Sequence, residues 1–80
     1  MNTFEIDREP VELYKLLKFE GLVGSGGEAK HLVADGRVTV NGELETRKRR
    51  KIMTGDEICV DGERYRVERS PVFVSQMEPD

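Results

Sequence analysis

The spacing of apolar residues changes along the chain, and each change marks an element. Thr3-Phe4-Glu5-Ile6 alternates polar and apolar residues, the two-residue period of a half-buried strand. From residue 10 the spacing becomes helical: Val11, Leu13, Leu16 and Leu17 share one stripe, while Glu12, Lys15 and Lys18 lie off it. Pro10 suits a first helical turn, Glu9 and Glu12 complement the positive end of the dipole, and Gly21 supplies a stop. Ser25-Gly26-Gly27-Glu28 has the spacing of a capping box. It opens a second helix with Ala29, Leu32 and Val33 facing inward and Gly36 at its end.

From Arg37 onward the period is two. Val38-Thr39-Val40 runs into Asn41-Gly42, a strong hairpin signal, because the tight turn needs positive φ at both central residues. A simple two-residue loop would pair Val40 with Glu43 and Thr39 with Leu44, mixing apolar and polar residues on each face; a bulge is the other way to close this hairpin, so the register stays open. Thr54-Gly55-Asp56 reads as a turn, Glu57-Ile58-Cys59-Val60 as a strand, and Asp61-Gly62 as a second hairpin turn into residues 63–69. Cys59 reads as a small buried hydrophobe, and Phe4, Tyr14, Phe19 and Tyr65 as core or core-edge residues. These elements make one domain over residues 1–69. Residues 70–80, with Pro71 and Pro79, read as a flexible tail, Val72-Phe73-Val74 being an alternative edge strand.

Composition narrows what such a domain can do. In 80 residues that are 36% apolar there is material for one small core and none for a deep substrate cavity. The only cysteine, Cys59, cannot close an internal disulfide, and His31 is the only histidine, so neither a disulfide framework nor a metal cluster is expected. Apolar runs of two or three residues fall far short of the roughly 18 that span a bilayer, and the N-terminus lacks a signal-peptide pattern, so a cytoplasmic protein is expected. Paired carboxylates, a nucleophile with its base and a phosphate-binding glycine loop are missing at any recognisable spacing, so neither catalysis, a cofactor nor a small-molecule substrate is expected.

Charge changes the picture most. The chain carries 13 basic and 16 acidic side chains, a net of −3. Arg47-Lys48-Arg49-Arg50-Lys51 holds five of the positive charges, which leaves 8 basic against 16 acidic elsewhere, a net of −8. An acidic body with one cationic spot would approach a polyanion in a single orientation.

The succession of helix, Ser25-Gly26-Gly27-Glu28-Ala29-Lys30, helix, Gly36-Arg37-Val38-Thr39-Val40-Asn41-Gly42, basic loop, Lys51-Ile52 and Gly55-Asp56-Glu57-Ile58 resembles the RNA-binding domain first described in the fourth protein of the small ribosomal subunit, the alpha-L motif, and within it the small free-standing bacterial YbcJ-like branch. The resemblance covers roughly residues 11 to 69. It implies an α+β fold, two antiparallel helices packed on a small, mostly antiparallel curved sheet, and a non-enzymatic protein that holds structured RNA, ribosomal RNA foremost, against the helix pair and the adjoining loop. An arginine commonly follows the serine that opens the second helix in the wider family; Gly26 stands there in this sequence, which shifts the implied footprint toward residues 47–51.

The candidate RNA-binding residues follow. Arg47, Lys48, Arg49, Arg50 and Lys51 supply charge for phosphates, and Ser25, Gly26 and Gly27 supply a helix N-terminus with unpaired amides and little steric cover. Lys30 and His31 lie one turn further along. Lys18 and Arg37 are candidates at the border, ranked above Lys15, whereas Arg64, Arg66 and Arg69 alternate with acidic residues and read as an ion-paired exposed face. Two competing readings use the same residues: a helix-turn-helix over 10–36 reading duplex DNA, and a protein-interaction module docking its basic loop on an acidic partner. The sequence leaves the oligomeric state open.

Overall fold

The computed structural model describes residues 2–72. Five strands form the main sheet: β1 (Asn2–Ile6), β3 (Val38–Val40), β4 (Glu43–Leu44), β6 (Glu57–Val60) and β7 (Glu63–Arg69), in the order β1-β7-β6-β3-β4. Every pairing in it is antiparallel except β1 with β7, which is parallel. A separate two-stranded ladder joins β2 (Val11–Glu12) to β5 (Lys51–Ile52). The helices are α1 (Leu13–Phe19) and α2 (Gly26–Ala34). This is the α+β architecture expected, with its sheet mostly antiparallel.

The core lies where alternation and helical spacing converge. Phe4 and Ile6 of β1, Val38 and Val40 of β3, Ile58 and Val60 of β6 and Val67 of β7 are buried together with Leu13, Leu16 and Leu17 of α1, Ala29 and Val33 of α2 and Ile52 of β5. Along β1, β3 and β6 the buried positions are every second residue, as the pleat requires. Tyr65 stacks on Phe4 at the core edge, ring centroids 4.2 Å apart.

The turn signals are met residue by residue. Asn41 and Asp61 adopt φ of 54° and 51°, followed by Gly42 at 85° and Gly62 at 88°. The first hairpin takes the simple register, Val40 opposite Glu43 and Thr39 opposite Leu44. It is tolerated because β4 is a two-residue edge strand whose side chains stay outside the core: Leu44 is 63% exposed. Asn41 also ties the turn to the next strand, its side chain donating to Asp56 and accepting from the Glu57 amide.

Four expectations are corrected. The first helix starts at Leu13 rather than at Pro10, which follows a cis peptide and leads into β2. Glu9 leaves the helix dipole and instead accepts from the Thr54 amide and hydroxyl, each at 2.8 Å, which lowers its pKa. Phe19 is 72% exposed, since a step of about 100° per residue carries it off the stripe formed by Leu13, Leu16 and Leu17. Cys59 is half-buried, because Ile58 and Val60 take the inward positions of β6. Val72 lies in a turn, and Phe73 and Val74 fall outside the described residues.

Candidate nucleic-acid interface

The basic run is fastened to the first helix through its backbone. The amides of Leu13 and Tyr14, which open α1 and have no acceptor within it, donate to the carbonyls of Arg50 (2.9 Å) and Lys48 (3.0 Å). One residue further, Glu12 pairs with Lys51 and Val11 with Ile52 in the β2–β5 ladder. Ile52 is wholly buried, so the loop ends on a core anchor. The loop thus caps α1, which explains why the helix begins at Leu13.

Docked there, the run forms one wall of an open groove whose other wall is α2. Gly27, Lys30, His31 and Ala34 face Thr46 and Arg47 through Lys51 across it. Six cationic side chains line the groove, Lys30 together with Arg47, Lys48, Arg49, Arg50 and Lys51, and no carboxylate does. Tyr14 connects the two walls: the Lys30 ammonium lies 4.9 Å from its ring centroid and the Arg49 guanidinium 5.9 Å. Cation–π attraction to one ring holds these two charges in register despite their repulsion.

Two carboxylates sit behind the cations. Glu45 is buried at the base of the loop and accepts four hydrogen bonds, from the Arg47 amide, Nε and Nη2 and from Arg50 Nη1, between 2.7 and 3.0 Å. These bonds, led by the Arg47 side chain, hold its pKa down to about 2, and Glu45 in turn raises that of Arg47. Glu12 lies 3.6 Å from Lys15 and 3.9 Å from Arg49. Self-neutralisation is therefore partial: Lys30, Lys48 and Lys51 face no carboxylate partner among the described residues.

The start of α2 contributes as its sequence suggests, with one change. Ser25 Oγ accepts from the Glu28 amide at 3.2 Å, whereas the Glu28 carboxylate accepts from Gly24 at 2.7 Å instead of from Ser25. That bond draws Glu28 away from the groove, and the first-turn amides of Gly26 and Gly27 have no acceptor within the helix. Gly26 rests against Tyr14, where an added Cβ would lie 3.8 Å from the ring.

Two candidates lie elsewhere. Lys18 occupies the last turn of α1, whereas the basic loop docks on the first turn, so Lys18 is not among the groove-lining residues. Arg37 forms a two-pronged pair with Asp61 at 2.8 and 2.6 Å, on a surface it shares with Asp35 and Glu63. Arg64 and Arg69 pair with Glu57 and Glu9, consistent with an ion-paired exposed face. Tyr14 lies at the core edge as expected, but its place between Lys30 and Arg49 has no signal in the sequence; Glu45 is a further residue of the site, and its signal is an acid two and five residues before Arg47 and Arg50.

Comparison with known proteins agrees with the resemblance. The model of the S4 domain family matches residues 4–68. YbcJ of Escherichia coli (strain K12) is 46% identical over 68 residues, spanning 84% of this chain and 97% of YbcJ. The probable ribosome maturation protein RlbA of Bacillus subtilis (strain 168) is 36% identical over 61 residues, 76% of this chain and 86% of RlbA. The solution structure of E. coli YbcJ, described as revealing an alfaL motif involved in RNA-binding, superimposes with a TM-score of 0.65 at 43% identity, covering 85% of this chain and 87% of that one. A pseudouridylate synthase shares the fold, with a TM-score of 0.63 at 22% identity, over 68% of this chain and 23% of its own.

Proposed function

The chain belongs to the S4 domain family, and we propose on that premise that it is a non-catalytic, cytoplasmic RNA-binding protein whose groove between α2 and the basic loop grips structured RNA, ribosomal RNA foremost. Its binding unit is a single domain over residues 1–69. The observation that carries this reading is a groove with six cations and no carboxylate in its lining, on a protein whose net charge is −3. Such a layout favours the phosphate backbone and its shape over base edges. The footprint we assign is Gly27, Lys30, His31 and Arg47 to Lys51, with Ser25 and Gly26 opening the helix at its end; Lys18 and Arg37 fall outside it. YbcJ, through its RNA-binding motif, and RlbA, through ribosome maturation, support the RNA class and its ribosomal direction. Against the DNA-reading alternative, α2 offers Lys30 and His31 beside Glu28 and Asp35, a poor set for reading base edges.

A salt titration tests the proposal. If all six cations meet phosphates, the slope of log affinity on log salt for a folded ribosomal RNA fragment is expected at about −4 to −5. Binding that ignores salt, or no binding at low salt, would reject it.

A further inference from the structure

Glu45 is an anomaly in this setting: a buried carboxylate at the foot of a loop whose proposed task is to attract anions. Its side chain is 6% exposed, yet the partners that reach it are themselves accessible, Arg47 at 73% and Arg50 at 31%. A carboxylate has about four lone-pair sites, and here all four are taken, two on each oxygen. The arginines are not used up in the same way. Of five N–H donors on each guanidinium, Arg47 gives two to Glu45 and Arg50 gives one. The remaining donors belong to residues that line the groove wall.

A surface salt bridge of flexible side chains would do little, but one buried acid that grips Arg47 through a two-pronged contact and Arg50 through a single bond restrains both guanidinium planes together. The cost is one negative charge under the site, which weakens the pull on any polyanion. The gain is selective: only a ligand whose phosphates match the fixed spacing benefits, and a paired RNA stem presents its phosphates at regular spacing, whereas a flexible single strand adapts to whatever it meets. We propose that Glu45 is a specificity-determining positioning residue, holding Arg47 and Arg50 so that the groove prefers paired over unpaired RNA. This rests on the RNA-binding reading above.

The test compares Glu45→Gln with the wild type on two probes, an RNA hairpin with a fully paired stem and polyuridylate of equal nucleotide count. The variant adds a net positive charge, so polyuridylate is expected to bind as tightly as before or tighter. Stem affinity is expected to fall about five-fold, because the arginine forks lose their common anchor. A second variant, Arg47→Lys with Arg50→Lys, keeps every charge and the carboxylate but removes the forks. It should lose the same preference, and combining it with Glu45→Gln should add nothing further. Equal gains on both probes would reduce Glu45 to a counter-charge, and equal losses would reduce it to a structural support; either overturns the inference while leaving RNA binding intact. Failure of the wild type to bind the stem would instead overturn the underlying reading.

Discussion

Replacing Lys48, Arg49 and Lys51 together with alanine is expected to weaken binding of structured RNA by about two orders of magnitude at 0.1 M salt, and to flatten the salt slope by about 2 to 3 units. Each of the three lines the groove. None bonds to Glu45, so the clamp on Arg47 and Arg50 survives. Arg50 stays in this variant, since removing it would also leave the buried Glu45 carboxylate short of a partner. Stability should stay within about 1 kcal/mol of wild type: the ion pair lost, Arg49 with Glu12, is long at 3.9 Å and exposed on the arginine side, the Arg49 contact with Tyr14 is a distant 5.9 Å, and relieved repulsion offsets both. Affinity by fluorescence anisotropy and melting by circular dichroism would be read on the same preparation. Unchanged affinity in a folded variant would remove the loop from the interface.

Ile52→Ala should produce the largest change in stability coupled to the site. Ile52 has no exposed surface, packs in the core and follows directly on Lys51, so its side chain pins the end of the basic loop. Truncation of a buried isoleucine costs about 2 to 5 kcal/mol, a large share of the roughly 5 to 15 kcal/mol that holds a domain folded. In a domain of this size that corresponds to a fall in Tm of about 10 to 30 °C. RNA affinity should drop as well at temperatures where the variant remains folded, because the carbonyls of Lys48 and Arg50 would no longer be held against α1. A fall of less than about 5 °C would show that the loop is not anchored through the core.

The contrast between these two variants mirrors what the sequence reveals and what it hides. Features set by neighbours a few residues apart were legible: the Ser25 cap, the Asn41-Gly42 and Asp61-Gly62 turns, the stops at Gly21 and Gly36 and the inward stripe of α1. The Schellman closure at Gly21, with the Leu22 amide on the Leu17 carbonyl and the Gly21 amide on Lys18, is of this kind. Features set by distant partners were not. The start of α1 depends on carbonyls from Lys48 and Arg50, and Glu9 is held by Thr54, 45 residues away. A parallel pairing such as β1 with β7 leaves no turn signal, because its strands are joined by most of the chain.

The site divides along the same line. Charge density at 47–51 and the glycine-rich start of α2 are properties of short segments, and the fold brings Gly27 and Lys30 to face that run. Closeness to helix ends, the sequence signal for Lys18 and Arg37, is blind to which end the loop occupies and to Asp61 in the β6–β7 turn. The place of Tyr14 depends on α2 and the loop, two later segments of the chain that bring Lys30 and Arg49 to one ring.

One cationic face meets RNA while the acidic remainder stays clear, and amide chemical-shift mapping during titration of the 15N-labelled protein with a folded ribosomal RNA fragment tests this most directly. Perturbations concentrated at Gly27, Lys30, His31 and residues 46–51, with Asp35, Asp61 and Glu63 unmoved, are the predicted result. Perturbations centred on the Arg37–Asp61 surface, with the groove residues silent, would contradict it.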